Sequence, residues 1–327
     1  MKLRTIGIIS TLALALLAGP LPAEAQQADK LYRIGYLHPG NIAKSSGSRA
    51  FFQGLRDLGY VEGRNIIIER RSAKGRRDRL PELAAELVRL KVDVIVGPGA
   101  IGQAAIKATR TIPIVVTVAS DYVARGWARS LRRPGSNVTG MSTLALGLIG
   151  KQLGLLKETV PNLSRVAILL TPDNRGHAEQ VRQAKEAAPA LGLGIIAIPV
   201  EGAADLPAAF RRMKAEGIDG IVVLRSGFLV RLRGQITTHS REAHLPSLFG
   251  HVIEAAAGGL MSYGADTKAL FRGAATYVDK ILKGANPAEL PISQATKFIL
   301  TVNLKTAKAL GITIPPEVLY RATKVFK

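Results

Sequence analysis

From Tyr32 onward, short β-branched runs alternate with stretches of helical periodicity. Tyr32–Leu37 is predicted as a strand and Ser46–Leu58 as a helix with Ala50, Phe51, Leu55 and Leu58 on one face. Asn65–Arg70 is a strand, and Arg77–Lys91 a helix whose stripe is Leu80, Leu83, Ala84, Leu87 and Leu90. Val92–Val96, helix Gly102–Thr109, strand Ile112–Val118 and short strand Val138–Ser142 complete the array. Near-continuous apolar strands separated by helices call for a parallel sheet covered on both faces.

The pattern then restarts. Helix Leu148–Thr159 is followed by strand Arg165–Leu170, helix Gly176–Leu191, strand Gly194–Val200 and helix Leu206–Glu216. Strand Gly220–Leu224, helix Leu229–His244 and strand Ser247–His251 close this second array. Two successive β-α-β-α arrays imply two Rossmann-like α/β lobes. The less regular tail (strand Leu260–Tyr263, helix Lys268–Leu282, strand Phe298–Val302, helix Leu304–Leu310) returns across the break, giving a multi-strand hinge. The expected division is residues 30–142 with about 262–287 for one lobe, and 143–261 with about 288–327 for the other.

The first 25 residues have a different grammar. Lys2 and Arg4 precede an apolar-to-small stretch, Ile6 to Gly19, and then Ala23-Glu24-Ala25. A basic start, an apolar core of about 14 residues and an A-x-A exit describe a secretory signal peptide cleaved after Ala25, too short for a membrane span. A soluble periplasmic protein is the expectation. Composition fits: the chain has 327 residues, 47% hydrophobic, and no cysteine. That excludes disulfide scaffolds, thiol catalysis, Cys-based metal sites and a lipid-modified N-terminal Cys. The net charge of +21 invites a nucleic-acid reading. Export and only 16 aromatic residues (8 Phe, 7 Tyr, 1 Trp) argue against it, and no nucleic-acid partner is expected.

Gly97-Pro98-Gly99-Ala100-Ile101-Gly102 matches G-x-G-x-x-G after a strand, with Asp121 some way downstream. It follows the third strand rather than the first, Pro98 removes an N–H, and the compartment is wrong for a nicotinamide. No cofactor and no metal are expected. The turn remains either a carboxylate- or anion-binding loop or a tight packing turn.

In open α/β sheets ligands bind beyond the carboxyl ends of the strands. That rule selects His38, Gly99, Ala100, Ser120, Asp121 and Tyr122 in the first lobe, and Thr171, Asn174, Arg225, Ser226 and His251 in the second, with Tyr263 near the return. Asp, Asn and Ser at such turns also cap helices, so each has a competing structural reading. The basic run Arg70, Arg71, Lys74, Arg76, Arg77, Arg79 reads first as a solvated face. No nucleophile elbow, catalytic triad or metal-ligand constellation appears, so binding rather than catalysis leads.

The strings Phe52-Gln53-Gly54-Leu55-Arg56-Asp57-Leu58-Gly59-Tyr60-Val61-Glu62-Gly63-Arg64-Asn65, Ala108-Thr109-Arg110-Thr111-Ile112-Pro113-Ile114-Val115 and Arg133-Pro134-Gly135-Ser136-Asn137-Val138-Thr139-Gly140 carry a resemblance. So does Asn303-Leu304-Lys305-Thr306-Ala307-Lys308-Ala309-Leu310-Gly311. The chain resembles the substrate-binding proteins of ABC transporters, in the subfamily related to tryptophan-type periplasmic binding proteins. The resemblance implies a type I periplasmic-binding fold, closing as a monomer on a small polar or amphipathic molecule, such as an amino acid or aromatic acid, and docking on an inner-membrane ABC permease. A ligand-sensing subunit for a membrane receptor is the alternative. The family's Gly-Asp-Pro-Val loop is Ser120-Asp121-Tyr122-Val123 here, and its Gly-Gly is Gly135-Ser136.

Overall fold

A computed structural model describes residues 31–120, 122–143 and 147–327, and one compact unit spans Tyr32–Lys327. The first lobe runs β1 (Tyr32–His38), α1 (Ser46–Asp57), β2 (Ile66–Ser72), α2 (Leu80–Arg89), β3 (Val94–Gly97), α3 (Gly102–Ala108), β4 (Ile114–Ala119) and β5 (Val138–Ser142). The second runs α4 (Ile149–Thr159), β6 (Arg165–Leu170), α5 (Arg175–Ala187), β7 (Gly194–Pro199), α6 (Leu206–Ala215), β8 (Gly220–Val223), α7 (Gly227–Arg231), α8 (Arg233–Glu242), β9 (Ser247–Phe249), α9 (Val252–Ala256) and β10 (Met261–Ala265). The chain then returns as α10 (Thr267–Leu282) and β11 (Ser293–Gln294), and crosses again into β12 (Phe298–Asn303), α11 (Leu304–Ala309), α12 (Pro316–Arg321) and β13 (Lys324–Phe326).

The first sheet has the order β11-β5-β4-β3-β1-β2 and is parallel throughout. The second, β13-β12-β10-β9-β8-β6-β7, is parallel except where β10 meets β12. The two-residue period of a strand sorts side chains onto two faces. In β3, Val94 and Val96 join the core under α1 and α10, while Ile95 joins the one under α2 and α3. In β6, Val166 and Ile168 face α4, and Ala167 and Leu169 face α6. Val94–Val96 and Val166–Leu169 are therefore apolar at every position, which is the run pattern the sequence displays.

Between the lobes the chain crosses three times: between β5 and α4, between β10 and α10, and between β11 and β12. The crossings fall at different points from those expected. Residues 261–265 belong to the second sheet, because β10 pairs with β9 and β12, and Ser293–Gln294 extends the first sheet beside β5. The single expected helix over 229–244 is two, α7 and α8, interrupted at Leu232, whose ψ is 1°. Among the described residues no helix is long and apolar enough to cross a membrane.

Candidate functional site

The carboxyl ends of β3, β4, β6 and β8 face one another across a cleft of about 790 Å³ between the lobes. One wall carries Pro39, Arg77, Pro98, Gly99, Ala100, Gln103, Val118, Ser120 and Arg125; the other carries Thr171, Asp173, Asn174, Gly176, Arg225, Ser226, Val230 and Arg231. A small cavity of about 30 Å³ lies behind it, between Thr143, Gln152, Gln180, Gly250 and Thr267, and Arg225 lines both spaces.

The second-lobe wall is held by a buried histidine. His177, in the first turn of α5, is 1% exposed, and its Nδ1 accepts the Thr171 N–H at 3.0 Å. Nε2 lies 2.9 Å from the Asn174 amide nitrogen and 3.4 Å from the Arg225 carbonyl oxygen. Burial pushes this imidazole below its usual range, so it is neutral at pH 7 and serves as a strut between the loops after β6 and β8. Asn174 caps α5, its Oδ1 accepting the Gly176 N–H at 3.2 Å, and Thr171 Oγ1 sits 3.0 Å from Ser226 Oγ. Ser226 also caps α7.

The glycines of the G-x-G-x-x-G run have packing duties. A Cβ at Gly97 would fall 2.1 Å from the Leu37 carbonyl oxygen, one at Gly99 2.9 Å from Ala119 Cβ, and one at Gly102 2.5 Å from the Trp127 ring. The spacing follows from strand β3 passing close to β1 and β4, and from Trp127 sealing α3.

Of the residues chosen from the sequence, the structure gathers Gly99, Ala100, Ser120, Thr171, Asn174, Arg225 and Ser226 at the cleft. Asp121 lies outside the described residues. Four others are corrected. His38 is turned aside from the cleft: its Nδ1 accepts the Gly40 N–H at 3.0 Å and its ring stacks on Tyr36. Tyr122 is fully buried, its hydroxyl 3.1 Å from the Val116 and 3.0 Å from the Met141 carbonyl oxygens, edge-on to Trp127. His251 caps α9, with Nε2 3.0 Å from Thr267 Oγ1. Tyr263 is 7% exposed inside the second core, stacked on Phe298. Each ring is engaged by the protein's own groups: the Gly40 backbone for His38, carbonyl oxygens for Tyr122, the Thr267 hydroxyl for His251 and the Phe298 ring for Tyr263.

The strand-end rule also reaches Asp173, beside Thr171 and Asn174; sequence reasoning missed Arg77, Gln103, Arg125 and Arg231. Within the basic run, Arg70 pairs with Glu62, Arg71 with Glu69 and Glu86, and Arg79 with Glu82, whereas Arg77 turns into the cleft. The signal that could have marked it is arithmetic: more cations than nearby carboxylates to pair them.

Two α/β lobes joined by three crossings, with ligand space at facing strand ends, define a hinged solute-binding receptor of the type I periplasmic-binding arrangement. The same architecture occurs in a conserved domain protein from Vibrio cholerae (TM-score 0.80, 27% identity, 90% of this chain and 100% of that one). It occurs too in an ABC domain from Streptococcus pneumonia in complex with L-Trp (TM-score 0.81, 23% identity, 91% and 100% covered). A "Tyrosine-binding protein" of Clostridioides difficile (strain R20291) is 25% identical over 267 residues, 81% of this chain and 76% of that protein. The family described as "ABC transporter substrate binding protein" matches residues 37–326, and the chain belongs to it.

Proposed function

We propose that this ABC substrate-binding protein captures a small polar solute in its interlobe cleft and delivers it to a membrane permease as an exported, freely diffusing monomer of the periplasm. The observation that carries the reading is that one cleft of about 790 Å³ is lined by strand ends of both lobes, which are connected by crossings able to act as a hinge. Closing such a cleft buries the solute and creates a joint surface that exists only in the loaded form. Gly99, Ala100 and Ser120 would contact the solute from one side, and Thr171, Asn174, Arg225 and Ser226 from the other. The Tyr- and Trp-binding relatives support a small-molecule solute of this size class. Lys2, Arg4 and the A-x-A ending at Ala25 support export.

The test has two stages. A solute that raises the melting temperature of the purified protein should be taken up by the parent cells, and deletion of the gene should abolish that uptake. Undiminished uptake in the deletion strain would count against delivery to a permease. Sequencing the N-terminus of the exported protein should find Gln26 first.

A further inference from the structure

Four arginines reach the cleft from four different loops and helices: Arg77 and Arg125 from the first lobe, Arg225 and Arg231 from the second. Against them the described lining residues offer one carboxylate, Asp173. Elsewhere on this basic chain some guanidinium groups are matched, as in Arg33–Glu69, Arg71–Glu86, Arg182–Glu179 and Arg212–Glu216, and others, such as Arg132 and Arg133, lie exposed to solvent. None of the four cleft arginines forms an ion pair among the described residues.

Two of them, Arg77 and Arg231, also meet across the gap between the lobes. Arg77 lies so close to the opposite wall that a Cβ on Gly227 would fall 2.7 Å from its Nη2. Burial and the charge of Arg231 both push the Arg77 guanidinium below its usual range. Arg125, stacked 5.1 Å over the Trp127 ring, acts in the same way on His177 across the cleft. Arg225 has its Nε sealed from solvent without a hydrogen-bond partner. No aromatic side chain is among the described lining residues, so the walls offer charge and hydrocarbon (Pro39, Pro98, Val118, Val230) rather than stacking surfaces. Like charges drawn together at a closing interface oppose closure unless a counter-charge sits between them.

We infer that the solute is a small organic anion whose negative charge exceeds its positive charge, held between Arg77 and Arg125 on one side and Arg225 and Arg231 on the other. The inference rests on the solute-capture reading and narrows it, away from zwitterionic amino acids. A carboxylate matches the planar fork of a guanidinium, and with arginines on both lobes the same anion neutralises both walls. An ammonium group on the solute would meet this wall with the wrong sign.

The experiment is a thermal-shift screen at low salt, followed by calorimetry, using a library of organic acids, amino acids, amines and sugars. It includes glutarate, citrate, benzoate and 3-(4-hydroxyphenyl)propionate as anions, L-tyrosine and L-tryptophan as zwitterions, tyramine as a cation and D-allose as a neutral solute. We expect stabilisation by anions alone, with affinity falling as ionic strength rises. Arg77→Gln and Arg231→Gln should each weaken the best anion about tenfold or more. Shifts from L-tyrosine, L-tryptophan, tyramine or D-allose as large as those from the anions would overturn the anion assignment while leaving solute capture intact, as would anion binding unchanged in both variants. No shift across the whole library would overturn solute capture and the anion assignment together.

Discussion

His177 Nδ1 accepts the backbone N–H of Thr171 at 3.0 Å, while the other ring nitrogen faces the Arg225 carbonyl oxygen at 3.4 Å. One buried ring thus sets the spacing of two cleft loops. His177→Ala would leave a buried N–H without its acceptor and a hole beneath both loops. It should lower the unfolding free energy by about 2–4 kcal/mol. Urea denaturation measures this; a loss under about 0.5 kcal/mol would show that the loops hold without the strut.

Glycines separate by what surrounds them. Gly97→Ala places a methyl 2.1 Å from the Leu37 carbonyl oxygen, and neither strand can yield without breaking the β1–β3 ladder. We expect a loss of about 3 kcal/mol or more, or no folded protein. Gly154→Ala, in mid-α4 with nothing within 4 Å of the new atom, should instead stabilise by about 0.5–1 kcal/mol. Thermal melts of the two variants should move in opposite directions.

Tyr122→Phe keeps the ring and removes a hydroxyl that reaches two backbone carbonyl oxygens in the first core. The expected cost is about 1–2 kcal/mol of stability with solute affinity unchanged. A drop in affinity without a drop in stability would return Tyr122 to the binding surface.

The pH dependence of stability should contain two opposed contributions. Burial pushes His251 down from 6.5 to about 4, and His38 and His177 downward as well. Unfolding lets these rings take up protons first, so their contribution is complete above pH 6.5 and is lost on acidification, for His251 down to about pH 4. Glu254, 1% exposed with neither carboxylate oxygen hydrogen-bonded, is pushed up from 4.5 to about 7 by burial, against the pull of Arg225. Its folded form keeps a proton the unfolded chain releases, so its contribution is present below pH 4.5 and is lost as pH rises through about 7. Glu254→Gln removes that loss. The stability difference between variant and wild type should grow in the variant's favour by up to about 1.4 kcal/mol per pH unit across the window. A flat difference from pH 4.5 to 7, measured by urea melts, would place Glu254 in an ordinary environment.

The lobes were legible because a parallel sheet covered on both faces leaves an unmistakable trace: Val94-Ile95-Val96 and Val166-Ala167-Ile168-Leu169 are apolar at every position since both faces are interior. The cleft was legible only where its residues sit at strand ends. Thr171 and Ser120 follow strands directly and Arg225 comes one residue later, and the strand-end rule finds them. Arg77, Arg125 and Arg231 come from a loop or a short helix, and their place depends on the reach of a long side chain and on which neighbours neutralise it. No periodicity encodes that. Tyr122 and Tyr263 misled because a phenol beside a cleft-forming strand fits equally well as a ligand contact and as a core residue, bonded to carbonyl oxygens in Tyr122 and stacked on Phe298 in Tyr263. The turnover point of the chain was missed for a related reason: β10 is hydrophobic enough for either sheet, and only its pairing with β9 and β12 decides.

The return of the chain through α10 fixes an order of assembly. Leu270, Phe271, Ala274 and Val278 of α10 complete the core that Phe51 and Leu55 of α1 begin. A growing polypeptide that ends at Ser142 therefore has α1 but not α10 on that face of its first sheet. That sheet stays unfinished until residues 267–294 have been made, nearly at the chain's end, and the second lobe has its own β6–β9 strands in hand first. The last fifth of the chain to emerge, from α10 onward, completes both halves almost together.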